Sequence, residues 1–182
     1  MTWIQTISGK AFYPLFPQIE AICIEDIAHA LAMKCRFTGH CKRFYSIAEH
    51  SCLCAAQANH RFGRKAALHL LLHDCAEAYL PDVAGPIKHL VSIDGYGFDL
   101  VEAVIVQRVY EALGLTLPDA DEQDIIKLID LELLATEKRD LLAEAPQPWI
   151  ELPDPLPLSL VFGPAEYENF RVLFLADFYD LS

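Results

Sequence analysis

The stretch Leu70-Leu71-Leu72-His73-Asp74-Cys75-Ala76-Glu77 plants an imidazole and two carboxylates in an apolar run. The spacing predicts a helix over residues 64–79, on which Leu70, His73, Asp74 and Glu77 fall at i, i+3, i+4 and i+7 and share one face. Burying three such groups without partners costs several kcal/mol, so the chain must supply either a tight polar network or a compensating ion. A bound divalent metal meets that demand most simply.

Upstream, Ser46-Ile47-Ala48-Glu49 has the form of a capping box, in which Ser46 and Glu49 satisfy each other's free backbone amides. It starts a helix with His50 in the first full turn, and the i+3 and i+4 neighbours Leu53 and Cys54 turn that imidazole toward the core. Gly63 ends this helix. Downstream, Pro118, Asp119 and Asp121 open another, running to about residue 144. On it Ile126, Asp130, Leu133 and Glu137 fall at i, i+4, i+7 and i+11, so Asp130 also interrupts an apolar face. Three helices thus aim ionisable groups inward: His50, then His73 with Asp74, then Asp130. Two imidazoles and two carboxylates suit a divalent ion with positions left open for water and substrate.

The rest of the chain reads as scaffold. Residues 1–21 are irregular, broken by Gly9, Pro14 and Pro17, with a short strand near residues 3–7. In Ile24–Met33, Ile24, Ile27, Ala28 and Leu31 recur at helical spacing, with Glu25 and Asp26 in the first turn, where the helix dipole favours acid. Residues 35–45 form a basic and aromatic connection containing Gly39. Pro81, Gly85 and Pro86 make residues 80–88 an ordered loop. A helix over 99–113 ends at Gly114, a Pro-rich segment covers 146–164, and an amphipathic helix runs from 164 to about 179. The expectation is an all-α, single-domain helical bundle over residues 1–182, with a minor N-terminal hairpin.

At 182 residues the chain suits one domain. Although 53% of it is hydrophobic and the mean hydropathy is +0.23, no apolar run approaches the roughly 18–20 residues of a membrane span. Residues 1–5 lack the basic start and apolar core of a signal peptide. A cytoplasmic protein without membrane contact is expected. The cysteines at 23, 35, 41, 52, 54 and 75 are read as reduced, mostly buried thiols rather than disulfides. Cys52-Leu53-Cys54 lacks the two-residue spacer and second pair of a structural zinc site. The net charge of -12, from 14 Lys+Arg against 26 Asp+Glu, opposes binding to a long nucleic acid but not to a small phosphorylated ligand.

In order and spacing, Ala48-Glu49-His50-Ser51, His73-Asp74 with Glu77, and Lys127-Leu128-Ile129-Asp130 resemble the motifs of the HD-domain metal-dependent phosphohydrolases. The likeness covers roughly residues 24–142. It implies an HD-type helical fold with His50, His73, Asp74 and Asp130 as ligands of one divalent metal ion (Mn, Co, Zn, Mg or Fe), with further ions carried by substrate phosphates. Cys35-Arg36-Phe37-Thr38-Gly39-His40, Phe44-Tyr45-Ser46-Ile47-Ala48-Glu49-His50 and Thr136-Glu137-Lys138-Arg139-Asp140 are most similar to a compact branch that includes bacterial 5'-deoxynucleotidases and phage dATP triphosphohydrolases. That branch implies a nucleotide substrate without selecting one, and the Glu77 and Asp82 positions match its catalytic acids.

Chemistry gives each residue a role beside this likeness. A metal acidifies a bound water and polarises a phosphoryl oxygen. Glu77 would orient that water or act as general acid or base, and Asp82 would assist or protonate the leaving oxygen. Arg36 and Lys88 are the first candidates for phosphate, with Lys42 and Arg43 behind them. Phe37 and Tyr45 would stack on a base or pack the core, and His40 would contact phosphate or assist proton transfer. Glu137 with Arg139 and Asp140 reads as a salt-bridge network behind Asp130. Phe170, Phe174, Phe178 and Leu181 offer a helical stripe for core packing or for a homo-oligomer. The expected function is metal-dependent hydrolysis of a deoxynucleoside phosphate. The alternatives are a non-catalytic nucleotide sensor and an HD hydrolase of a cyclic nucleotide or alarmone.

Overall fold

Helix α1 (Ile24–Met33) buries Ile24, Ile27, Ala28 and Leu31, the residues spaced for its inner face. Helix α2 (Ile47–Phe62) follows, capped by Ser46 Oγ, which accepts from the Glu49 amide at 3.0 Å. The expected box is only half formed there, because the Glu49 carboxylate turns away to bind both terminal nitrogens of Arg43. A charge-assisted fork outweighs a single bond back to the cap amide. The complete box lies on α6 (Ala120–Leu141), where Asp119 and Glu122 exchange side-chain bonds with each other's amides. These elements come from a computed structural model that describes residues 2–149, 151–161 and 167–182, the side chain of Tyr167 excepted.

Gly63, at φ +91°, turns α2 into α3 (Arg64–Leu72), and these two helices form the most extensive helix pair. Here the structure departs from the expected helix over 64–79. The His73 Nδ1 donates to the Leu70 carbonyl at 2.6 Å, the acceptor that a continued helix would offer to the Asp74 amide. Asp74 leaves helical geometry, and the chain resumes as a tight 3-10 turn over Cys75–Ala78. The helical face predicted for Glu77 therefore does not exist as such.

Residues 80–88 are a loop except for one short turn, α4 (Gly85–Lys88), which places Pro86 where its missing N–H costs nothing. Next come α5 (Phe98–Ala112), then α6, which stops at Leu141 rather than near 144, and α7 (Tyr167–Leu181). The expected start of the last helix at 164 falls on residues 164–166, outside the described residues. Among the described residues two hairpins accompany the helices: β1 (Ile4–Gln5) with β2 (Ala11–Phe12), and β3 (Ser92–Ile93) with β4 (Tyr96–Gly97), the second of which has no counterpart in the sequence analysis. The fold is an all-α bundle with minor hairpins.

Helix α2 is central, packing against α1, α3, α6 and α7. The main core gathers Ile27 and Leu31 of α1, Leu70 to Leu72 of α3, Ile105 of α5 and Ile129 of α6. Phe174 and Phe178 of α7 are buried in it, and Phe170 and Leu181 pack against it, so the aromatic stripe serves the interior of this chain. A smaller cluster joins Tyr45, Leu141 and Leu160. Among the described residues, no helix is long and apolar enough to cross a membrane.

The N-terminal hairpin is tied to α1 by Asp26, whose carboxylate accepts from the Ser8 amide at 3.1 Å and the Ser8 hydroxyl at 2.7 Å. Burial opposes ionisation of Asp26, but bonds from Thr6, Ser8 and Cys23 outweigh it and hold the carboxyl below its ordinary 3.8. A depressed folded pKa contributes stability that is complete above the ordinary value and is lost as pH falls through the folded one. Asp26→Asn should lower unfolding stability at neutral pH by about 1–2 kcal/mol. Urea titrations from pH 6 to pH 2 should show the difference between variant and parent shrinking below about pH 4.

Candidate metal centre

Four elements meet at one point. Helix α2 brings His50 and, one turn on, Cys54; the end of α3 brings His73 and Asp74; α6 brings Asp130 and, two turns on, Glu137; the 35–45 connection brings Arg36. The His50 Nε2 lies 3.2 Å from the His73 Nε2, 3.2 Å from Asp130 Oδ1 and 3.8 Å from Asp74 Oδ2. The His73 Nε2 lies 3.3 Å from Asp74 Oδ2 and 3.9 Å from Asp130 Oδ1. All four ligands expected from the sequence thus converge. Donors about 2.1 Å from a shared ion stand roughly 3.0 Å apart at octahedral right angles and about 3.4 Å apart in a tetrahedron, so these separations fit one small cation.

Hydrogen bonding on the far side of each imidazole strengthens that reading. The His50 Nδ1 donates to Glu137 Oε1 at 2.6 Å, and the His73 Nδ1 donates to the Leu70 carbonyl, which can only accept. With both Nδ1 atoms protonated, the neutral rings present bare Nε2 lone pairs to each other. The recorded polar neighbours of the His73 Nε2 are His50 Nε2, Asp74 Oδ2 and Asp130 Oδ1, and none of them donates to it in that state. Such a meeting of acceptors is stable only around a cation or an added proton. Charge agrees: Asp74, Asp130 and Glu137 give three negative charges against one from Arg36, whose Nη1 and Nη2 lie 3.2 and 3.4 Å from Asp74 and Glu137.

Burial opposes ionisation of Asp74 and Asp130, yet His50, His73 and Arg36 outweigh it and hold both carboxyls below the usual range. Burial and Arg36 push the His50 pKa down, but Cys54, Glu137 and Asp130 more than reverse this and raise it well above its ordinary value. Glu77 behaves oppositely. Burial first, then the charges of Asp74 and Asp82, push it up to about 8. It is buried, and no hydrogen-bond partner is recorded for its Oε2. Asp82 is half-buried in the following loop, and Lys34 of the preceding connection donates to the carbonyls of Glu77 and Leu80, pinning the segment.

Cys54 is the residue that sequence reasoning used to orient His50 and set aside as half of a Cys52–Cys54 structural zinc pair. Its Sγ lies 3.6 Å from the His50 Nε2, and donor atoms of His50, Cys54, His73 and Asp130 all fall within 4.8 Å of one another. These four could hold a metal ion. The i+4 spacing from His50 was the available signal, read as burial alone. Glu137 lies not behind Asp130 but behind His50, whose ring it orients. Arg139 and Asp140 form a separate unit that binds the carbonyls of Leu156 and Leu158 and the Leu160 amide.

The expected substrate residues divide. Arg36 is engaged inside the site with Asp74 and Glu137, its guanidinium 5.5 Å from the half-buried Phe37 ring. Lys88 is held by Glu102 at 2.6 Å; burial lowers its pKa, but that bond and the Glu102 charge, helped by Glu77 and Asp74, raise it. His40 is exposed beyond a turn in which Phe37, Thr38 and Gly39 all have positive φ. Tyr45 is fully buried, so its ring packs against the Leu141 and Leu160 cluster and offers no face to a base. Lys42 and Arg43 brace the scaffold through the Asp140 carbonyl and through Glu49.

Fold and site together define a helical protein with a candidate metal centre at the junction of four elements. The chain is 34% identical to the uncharacterized protein YfdR of Escherichia coli (strain K12), over 100% of this chain and 97% of that protein. It belongs to the same family as YfdR. It is also 36% identical to the uncharacterized protein RCAP_rcc00048 of Rhodobacter capsulatus over 62% of this chain and 59% of that protein. No family model matches the sequence.

Two measurements test the centre. Cobalt(II) added to the metal-free protein should give a thiolate-to-cobalt absorption band that Cys54→Ser abolishes while d–d bands persist; a Cys54→Ser spectrum identical to the parent would show that the thiol is not a ligand. Glu137→Gln, which keeps an acceptor for the His50 ring but removes the charge, should weaken metal affinity by roughly 10–100-fold in a chelator competition.

Proposed function

We propose that this protein is an HD-type, divalent-metal-dependent phosphohydrolase acting on deoxynucleoside phosphates. The observation that carries the metal-dependent part is the convergence of His50, Cys54, His73 and Asp130, whose donor atoms fall within 4.8 Å of one another at separations matched to one ion. A divalent ion held by His50, His73 and Asp130, with Asp74 or Cys54 completing the set, supplies a water acidified toward neutrality and a polarised phosphoryl oxygen.

The protein's own groups divide the remaining work. Glu77, buried and without a recorded partner at Oε2, keeps a proton near neutral pH and can orient water or pass that proton on. Asp82, whose charge acts on Glu77, would assist or protonate the leaving oxygen, and Lys34 holds the backbone between the two acids. Arg36 and Lys88 remain the cations for a phosphate oxygen, each of which would have to share a carboxylate partner, Asp74 and Glu137 for Arg36 and Glu102 for Lys88. The nucleotide and deoxyribose parts of the reading rest on the resemblance of residues 35–50 and 136–140 to the compact deoxynucleotidase branch. The base preference stays open.

Purified protein should be incubated with Mn, Co, Zn or Mg in turn against mono-, di- and triphosphates of each nucleoside and deoxynucleoside, detecting free phosphate and triphosphate separately. Turnover of a deoxynucleotide, lost in Asp74→Ala, is the expected result. No consumption under any metal points to a sensor, and consumption only of a cyclic nucleotide or alarmone overturns the substrate class. Glu77→Gln should retain the ion by mass spectrometry while kcat falls by roughly 10²–10⁴-fold.

A further inference from the structure

The connection between α1 and α2 carries two cysteines that the metal centre does not use. Cys35 and Cys41 are six positions apart and their Sγ atoms lie 3.4 Å from each other, both half-buried. A disulfide needs about 2.05 Å, so closing the pair asks for a movement of little more than 1 Å. Each side of the pair is anchored. Cys35 bridges to Ser46 and the Arg36 amide bonds the Tyr45 carbonyl, while the Lys42 amide bonds the Leu141 carbonyl. The Cys41 thiol also reaches back to the Arg36 carbonyl at 3.8 Å. Cys52, Cys54 and Cys75 are buried, and Cys23 lies at the start of α1, beside Asp26.

We propose that Cys35 and Cys41 are a reversible thiol–disulfide pair that takes low-molecular-weight disulfides such as oxidised glutathione as its oxidant and clasps the loop carrying Arg36. In the first step the Cys35 thiolate attacks one sulfur of the small disulfide; a mixed disulfide forms, its S–S bond breaks, and one small thiolate leaves and takes up a proton. In the second, the Cys41 thiolate attacks the Cys35 sulfur, expelling the second small thiolate. The protein loses two protons and two electrons, and the small disulfide becomes two thiols. Cys41 is the resolving partner, because burial and its contact with Cys35 push its thiol up to about 11 and leave little thiolate for the first attack. The closed ring encloses Arg36 to His40, so redox state governs the freedom of the residue that binds both Asp74 and Glu137.

The test treats the full-length protein with oxidised glutathione, then blocks free thiols and digests with trypsin. Cleavage after Lys34, Arg36 and Lys42 should release the dipeptide Cys35-Arg36 joined by a disulfide to Phe37–Lys42, a species lost on adding dithiothreitol. Cys41→Ser should instead retain one glutathione on Cys35. Hydrogen exchange at the Gly39 and His40 amides, which bond the Arg36 and Phe37 carbonyls, should slow several-fold on oxidation. Absence of the linked peptide, or linkage through another cysteine, overturns the assignment. A Cys35–Cys41 disulfide that leaves those two amides exchanging unchanged overturns the clasp.

Discussion

Glu137 is fully buried, and its carboxylate holds three parts of the chain at once. It accepts the His50 Nδ1 proton from α2, pairs with Arg36 of the 35–45 connection, and stands on α6 two turns beyond Asp130. An isolated carboxylate in that position would be protonated or expelled. Here burial raises its pKa, but Arg36 and His50 outweigh that and keep it ionised. The consequence reaches past α6. A negative charge behind His50 fixes the ring with its Nε2 turned toward His73, and the same charge draws Arg36 inward, where its other arm binds Asp74. Remove the charge and the ring orientation, the loop position and one metal-facing carboxylate all lose their reference.

The breaking of α3 at His73 has a similar economy. A helix continued through Glu77 would place His73, Asp74 and Glu77 on one stripe at fixed rise, with the two carboxylates about one turn apart. Instead, the His73 ring binds the Leu70 carbonyl and the chain enters a 3-10 turn. That turn lets Asp74 face His50 and His73 while Glu77 sits in drier surroundings near Asp82 and Lys88. Lys34, reaching across from the end of α1, binds the carbonyls of Glu77 and Leu80 and so holds the end of that turn.

Much of this was legible from residue spacing. Periodicity placed α1, α2 and α5 within a residue or so, and the apolar faces interrupted by His50 and Asp130 pointed correctly to a common interior. What escaped were contacts whose partners lie far apart in the chain. Glu137 sits 87 positions from His50, and at i+7 from Asp130, on the same face, it read as part of a salt-bridge network behind that residue. From the sequence Tyr45 admits both base stacking and core packing, and Cys54 reads as a buried thiol, because aromatic and thiol side chains carry no periodic signal that separates packing from binding. The break in α3 was hidden for a different reason: the leucines before it and Ala76 and Glu77 after it favour helix, the weaker propensities of His73, Asp74 and Cys75 do not by themselves end one, and the side-chain bond to Leu70 is what competes with the ladder.

Three carboxylates within this small volume end in opposite protonation states, and their surroundings explain the division. Asp74 and Asp130 are desolvated, but each faces both imidazoles and Arg36, so the ionised form is favoured. Glu77 is desolvated too, but the charges that act on it most are those of Asp74 and Asp82, and Arg36 only partly offsets them. A residue that is ionised beside cationic groups is suited to hold a metal; one that keeps its proton beside other carboxylates is suited to handle protons. A cation at the junction would lower the Glu77 pKa through its own charge, bringing it closer to neutrality from above. The arrangement that makes Glu77 a poor ligand is thus the same one that makes it a serviceable acid or base once the centre is filled.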